Sequence, residues 1–361
     1  MKDQVLYALY SGDMYGTEQM ALAHIRALGD VASTLVLAPP GPVHEAAAAL
    51  GIATRVAATK GEVFRETLKV ARQCKRLSFL TTSITQAFIG LAVAALSPRT
   101  RVRHLNICHG GLEAERSFGN KRLLNRTPVK LVAVSSYCAG LLTRFGVPAR
   151  RILVLENFLM DERIAEAPRR AASAPPPLQV VVACRLVGVK RVDLLVSAMK
   201  LEPRLADLMH VRVLGTGPLL EDLRASAQGL NFGFEGFRVD VPEVMALCDV
   251  FVQTWADEPF GLAVVEAMAA GLIVVTPDSG GAAEIVGDDR HGFFYAADDP
   301  ASLAQALLRV AQMPESARTA MSNAAAARAM ARYSASARRE QLMQVFLGVG
   351  TPGRQQAAGT T

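Results

Sequence analysis

The sequence predicts an α/β protein built of two doubly wound domains, one in each half of the chain. Three observations predict it. Short apolar runs of strand length recur throughout, separated by segments with helical patterning. Those runs are apolar at nearly every position instead of alternating, which marks strands buried on both faces, as in parallel sheets covered by helices. Composition and charge both change near residue 161, so the 361 residues divide in two.

In the first half the runs are Val5–Leu9, Thr34–Leu37, Phe79–Thr82, Val102–Ile107 and Lys130–Val134. In the second they are Gln179–Ala183, Val211–Leu214, Asp249–Thr254 and Leu272–Thr276. Amphipathic segments such as Gln19–Leu28 and Val192–Met199 lie between them. The organisation expected is an N-terminal domain over 1–160, an Ala/Pro-rich connection over 161–177 and a C-terminal domain over 178–335. A helix over 336–347 packs back on the N-terminal domain, and a disordered tail fills 348–361. Consecutive prolines near 175–177 forbid helix and sheet, and the three glycines of the tail carry no core pattern.

Composition excludes several classes. The chain is 51% hydrophobic, ample for packed cores, so it is not a disordered chain. The most apolar stretch, Ala87 to Leu96, is about half the length of a membrane span. The start lacks a basic region followed by an apolar run and a small-residue cleavage site, so no signal peptide is expected. The five cysteines form no C-x-x-C pair, which suits a reduced, cytoplasmic protein. The net charge is +6, unevenly placed. Residues 1–160 hold 20 Lys and Arg against 10 Asp and Glu, a balance of +10; residues 161–361 hold 19 against 23, a balance of −4.

Chemistry gathers where strands turn into helices. After the first run comes Ser11-Gly12-Asp13-Met14-Tyr15-Gly16-Thr17-Glu18, whose glycines permit close backbone approach at a helix start, a place that suits a diphosphate. An ordinary turn fits it equally. After Gln179–Ala183 come Arg185 and Lys190, two cations able to clamp a diphosphate and to stabilise a departing one. After Asp249–Thr254 comes Asp257-Glu258-Pro259-Phe260-Gly261-Leu262, then a helix carrying Glu266. Glu258 in that loop can accept hydrogen bonds from sugar hydroxyls. Backbone N–H groups around Phe260 to Leu262 can meet a phosphate or sugar oxygen. Glu266 stands between Val265 and Ala267 on an apolar helix, where a charge needs a partner. Gly280, Gly281 and Glu284 mark a further turn, and His109 follows Val102–Ile107 at the carboxyl end of a parallel strand.

Together these segments resemble the retaining glycosyltransferases of family 4, which have the GT-B fold: two Rossmann-like domains facing a central cleft. The resemblance covers about residues 3 to 347. It rests on the Glu-x7-Glu motif of Glu258 and Glu266, the Arg185/Lys190 pair, Gly280-Gly281 with Glu284, and Val132-Ala133-Val134-Ser135. The resemblance implies that Arg185 and Lys190 hold the donor diphosphate, Glu258 the transferred sugar and Glu266 the ribose. It brings His109 near the reacting carbon and sets Gly12, Tyr15 and Gly16, Pro259 to Leu262, and Phe237 with Arg238 around the donor. It implies a hexosyl transfer from a UDP- or GDP-linked sugar to a glycan or lipid-linked acceptor of cell-surface polysaccharide or glycolipid synthesis, with no cofactor and no metal. Cys184 stands where the family has glycine, and the first loop lacks adjacent glycines.

The +10 half is then the acceptor side. Arg65, Lys69, Arg72 and Arg76 recur at helical spacing opposite Val63, Val70, Cys74 and Leu77, which predicts an amphipathic helix over 63–77. Arg116, Lys121, Arg122 and Arg126 form a second basic cluster. Peripheral docking on an anionic membrane, at the inner face of the plasma membrane, and a plain solvated surface both fit these cations. A sugar-nucleotide epimerase of the same architecture and a basic nucleic-acid-binding protein are the other readings; one Trp, six Tyr and no nucleic-acid motif weigh against the latter, which is not expected.

Overall fold

The computed structural model describes residues 3–110, 117–165, 167 and 177–349. The first half forms one sheet of seven parallel strands: β1 (Asp3–Ala8), β2 (Ala32–Ala38), β3 (Thr54–Val56), β4 (Arg76–Thr81), β5 (Arg101–Cys108), β6 (Lys130–Ala133) and β7 (Ile152–Val154). Their spatial order is 3-2-1-4-5-6-7. The second half forms a six-stranded parallel sheet: β8 (Leu178–Ala183), β9 (Met209–Leu214), β10 (Phe232–Gly236), β11 (Val250–Val252), β12 (Ile273–Pro277) and β13 (Gly292–Tyr295). Its order is 10-9-8-11-12-13. The two doubly wound domains expected from the apolar runs are therefore present.

The central strands explain their own burial. Leu6 of β1 stands between Leu35 of β2 and Phe79 of β4, and all three are buried. In each sheet the order turns back at its first strand: β1 lies between β2 and β4, and β8 between β9 and β11. Loops leaving the two strands of such a pair run apart and leave a crevice at the carboxyl ends.

The chain crosses between domains twice, side by side. Leu159 N donates to Tyr333 O at 2.8 Å, and Ala335 N donates to Leu159 O at 2.8 Å. Beside the crossing, buried Glu156 accepts from Arg332 at 2.9 Å and from Arg338. The last helix, Ala335–Leu347, lies on the helix Gly16–Leu28 of the first domain, with His24 edge-on to Phe346. Its final carbonyls are met by Arg103 Nε (Val345 O, 2.9 Å) and Ser78 Oγ (Phe346 O, 2.6 Å). An arginine at a helix C-terminus also complements the dipole. A third seam joins the helix Ser136–Arg144 to the second domain. Ser135 Oγ donates to Pro259 O at 2.6 Å, and Ser136 N to Glu284 Oε2 at 3.0 Å.

Some boundaries differ from expectation. The helix expected over 63–77 ends earlier, as Lys60–Gln73, because Cys74 is extended (φ −132°, ψ 158°). Arg76 and Leu77 belong to β4, and Arg76 pairs with Asp3. The i, i+3 and i+4 spacing that joined Leu77 to the helix ran by coincidence across a helix–strand boundary. The connection over 161–177 begins as a helix, Asp161–Ala165; residues 166 and 168–176 of it lie outside the described residues, as do residues 350–361 of the tail.

Candidate functional site

The two crevices face each other and form one cleft of about 470 Å³. The first domain contributes Met14, Tyr15, Gly16, Thr17 and Gln19 from the loop after β1, and His109 and Gly110 from the loop after β5. The second contributes Cys184, Arg185 and Lys190 after β8, and Gln253, Trp255 and Glu258 to Ala263 after β11. An adjoining space of about 550 Å³ shares Tyr15, His109, Gly110 and Arg185 and runs to Ser83, Thr85 and Lys121.

The cleft floor is an ion pair. Lys190 Nζ donates to Glu258 Oε2 at 2.6 Å, and both side chains are mostly buried. Gln253 Nε2 donates to the same oxygen at 3.3 Å, and the ammonium lies 4.2 Å from the centroid of the Trp255 ring. Thr254 Oγ1 donates to Lys190 O, tying the loop after β8 to the end of β11. Arg185 stands over the Tyr15 ring, 5.3 Å from its centroid, so a cation of one domain rests on an aromatic face of the other.

The backbone supplies the remaining polar groups. Gly261 has φ +104°, a conformation L side chains rarely adopt, and it turns the chain into the helix Leu262–Ala269. The start of that helix, Gly261 to Ala263, lines the cleft, and the first N–H groups of a helix have no partner within it. Gly110 has φ +82°, and a Cβ there would stand 2.4 Å from Pro259 Cγ. The His109 loop and the Pro259-Phe260-Gly261 turn therefore meet at van der Waals distance across the domain boundary. Burial lowers the His109 pKa to about 4, with nearby Lys121 adding to the effect. The imidazole is neutral at pH 7, and its Nε2 has no hydrogen-bond partner among the described residues.

The other predicted residues fall elsewhere. Glu266 accepts from Arg163 at 2.6 Å in a separate crevice of about 280 Å³ that also holds Glu162, Pro242 and Met245. Burial raises its pKa, and Arg163 opposes the shift. Gly12 packs against Pro39 and Pro40, where a Cβ would stand 2.4 Å from Pro40 O. Phe237 is exposed on the loop after β10, and Arg238 is held by Asp240 at 2.8 Å. Arg65, Lys69, Arg72 and Arg122 are on the surface. Lys121 is not: it is buried, and its Nζ donates to Asn106 Oδ1 at 2.6 Å. Its neighbours Leu124 and Phe118 are core residues, so the turn Gly119–Leu124 drives the lysine inward against β5. Arg116 lies outside the described residues. Trp255, Gln253 and Asn157 also line the cleft, and sequence reasoning missed them. The one tryptophan, placed directly after a strand that ends at the cleft, was an available signal for Trp255.

With this geometry the class of fold is defined: it is GT-B. The chain superposes on the structure of Anabaena HepE in complex with UDP and glucose with a TM-score of 0.78 at 20% identity, covering 96% of this chain and 99% of the other. Residues 164–328 match the family model of glycosyl transferases group 1. The sulfoquinovosyl transferase of Arabidopsis thaliana is 32% identical over 140 residues, 38% of this chain and 27% of that protein. A lipopolysaccharide core biosynthesis glycosyltransferase of Rhizobium meliloti is 27% identical over 166 residues, 45% of this chain and 48% of that protein. The alignments thus span about a quarter to a half of the length of these curated relatives.

Proposed function

We propose that the protein is a retaining, metal-independent glycosyltransferase of family 4 that moves a sugar from a UDP- or GDP-linked donor to a glycan or lipid-linked acceptor in cell-surface polysaccharide or glycolipid synthesis. The observation that carries the reading is the Lys190–Glu258 pair on the cleft floor, with Arg185 and the start of the helix Leu262–Ala269 on the same cleft. Arg185 and Lys190 take the diphosphate, and the N–H groups near Gly261 and Leu262 take its remaining oxygens. Glu258 holds Lys190 in position and accepts from a sugar hydroxyl. The acceptor hydroxyl attacks the anomeric carbon on the face from which the diphosphate leaves. The carbon–oxygen bond to phosphate breaks, and the acceptor proton passes to the leaving oxygen. The charge that grows there is what the two cations stabilise. A neutral His109 suits this scheme as a hydrogen-bond partner beside the sugar. Glu266 takes the ribose once Arg163 parts from it.

The matched group 1 model, the relatives named for sulfoquinovosyl transfer and lipopolysaccharide core synthesis, and the UDP and glucose held by Anabaena HepE support this reading. Neither the epimerase nor the nucleic-acid reading gains an observation from the described residues. A thermal-shift series with UDP, GDP, UDP-glucose and GDP-mannose tests the proposal. A ligand at a hundred times its Kd stabilises by about 2.7 kcal/mol. A shift with one nucleotide family is expected, and no shift with any of the four overturns the assignment.

A further inference from the structure

The helix Ile84–Leu96 breaks the ordinary rule for a surface helix. Its thirteen residues hold no ionisable side chain. A helix without a polar face is normally buried on all sides. This one is buried on one side only. Ala87, Gly90 and Val93 lie against the sheet, so closely at Gly90 that a Cβ would stand 2.5 Å from the Phe79 ring. Thr85, Phe88, Ala92, Ala95 and Leu96 are exposed on the opposite side, with Phe88 45% and Leu96 54% exposed. The outward face is apolar from Phe88 to its end.

Cations border this face on both sides. The helix Lys60–Gln73 packs along it and presents Arg65, Lys69 and Arg72 to solvent. Of the acids of that helix, Glu62 is held in its capping box, and Glu66 pairs with Arg55 at 2.8 Å and more loosely with exposed Arg65 at 3.7 Å, which leaves Lys69 and Arg72 without an acid of this helix beside them. The turn Gly119–Leu124 packs on the other flank with Arg122 and Leu123 exposed. An apolar strip between rows of cations is complementary to an anionic lipid surface: acyl chains for the strip, headgroup phosphates for the rows. At about 20 Å in length the helix is too short to cross a bilayer, and no helix among the described residues is long and apolar enough to do so.

We propose that the Phe88–Leu96 face of this helix seats in the interfacial layer of an anionic membrane, with the flanking arginines and lysine on the headgroups. The inference rests on the proposed transferase activity and adds how the acceptor arrives. The N-terminus of the helix, Ser83 to Thr85, lines the 550 Å³ space beside His109. A membrane on the outward face therefore brings a lipid-borne hydroxyl to the acceptor side of the cleft, while the donor enters from the aqueous side.

Cosedimentation of the full chain with vesicles tests this. Binding to phosphatidylglycerol-containing vesicles is expected to exceed binding to pure phosphatidylcholine. The variant Phe88→Asp/Leu96→Asp is expected to lose about tenfold or more of it. Arg65→Gln/Lys69→Gln/Arg72→Gln is expected to lose the preference for anionic lipid. A Phe88→Trp variant should be quenched by brominated lipid beyond the signal of the single native tryptophan. Should the aspartates prevent folding, Phe88→Ser/Leu96→Ser serves in their place, with an unchanged melting temperature and nucleotide shift as proof of fold. Wild-type vesicle binding by the apolar-face variants overturns the proposal. So does a wild-type dimer that those variants convert to monomer without change in vesicle binding, since a second copy then covers the face. Failed vesicle binding with an intact nucleotide shift rejects only the docking surface; loss of every nucleotide shift in the wild type rejects the transferase reading beneath it.

Discussion

Lys190 and Glu258, 68 residues apart in sequence, meet at 2.6 Å where the ends of β8 and β11 lie side by side. The pair is also fixed from beneath by Gln253 and from the side by Trp255. Lys190→Ala leaves Glu258 beside the proposed diphosphate site with no counter-charge from Lys190, and Glu258→Gln removes the carboxylate proposed to accept from the sugar. Each is expected to lower kcat/KM by at least about 100-fold while circular dichroism and melting temperature stay close to wild type. Lys190→Arg is not expected to restore activity, because a planar fork does not reproduce a point charge over the indole. Wild-type turnover in the alanine variant refutes the role.

Arg163 and Glu266 set a second expectation. The carboxylate proposed for the ribose is engaged by Arg163, on the helix Asp161–Ala165, and the neighbouring Glu162 is itself paired with Arg26 of the first domain. Donor binding then requires one ion pair to open. Arg163→Ala is expected to lower the donor KM several-fold and leave kcat nearly unchanged, because the competing partner is gone. Glu266→Gln is expected to raise the KM. Steady-state kinetics with varied nucleotide sugar distinguish the two, and a raised KM in Arg163→Ala shows that the arginine assists binding instead.

Much of this arrangement was legible in the residues. Nine apolar runs located nine of the thirteen strands found among the described residues, because a strand buried on both faces needs apolar side chains at every position. The four missed strands are β3 and β7, three residues each, and β10 and β13, which contain glycine. Their pairing comes from neighbours in space, which local pattern does not carry. Arg185, Lys190 and Glu258 were legible because strand ends in a doubly wound sheet point at the crevice. Glycines at a helix start pointed Gly12 to the donor, a lone acid on an apolar helix pointed Glu266 there, and likeness alone placed Phe237; the structure sets Gly12 against a proline turn, Glu266 on Arg163 and Phe237 on an exposed loop. Lys121 shows the limit most clearly. A lysine among arginines reads as surface, and only the fold shows it turned inward onto Asn106.

Cys184 gives a chemical test of the cleft. Burial pushes its thiol pKa up to about 11, even with Lys190 and Arg185 acting in the opposite direction. Alkylation by iodoacetamide is expected to be slow at pH 7.5 and to rise about tenfold per pH unit toward pH 10, since the thiolate is the nucleophile. Because Cys184 lines the cleft, a bound nucleotide should slow its labelling, followed by mass spectrometry of the peptide. Fast labelling at neutral pH, or no protection by any nucleotide that shifts the melting temperature, contradicts this placement.

Two histidines in the first domain make stability depend on acid. His24 lies among Tyr7, Phe158 and Phe346, and burial lowers its pKa to about 3; His104 lies against Phe79 with a pKa lowered to about 4. Above about pH 6.5 both are neutral in the folded and unfolded chain and contribute nothing to the pH dependence. Below it the unfolded chain takes up a proton at each site while the folded chain does not, so stability falls as pH falls. At pH 5 the loss is about 2 kcal/mol per histidine. Denaturant midpoints measured from pH 7.5 to pH 4.5 should show this decline. His24→Phe removes one titrating group from an aromatic setting that accepts a ring, so its curve should be shallower by about 1.4 kcal/mol per pH unit between pH 6 and pH 4.5. A variant curve parallel to wild type over that range means that His24 is protonated in the folded protein and that the aromatic cluster around it admits water.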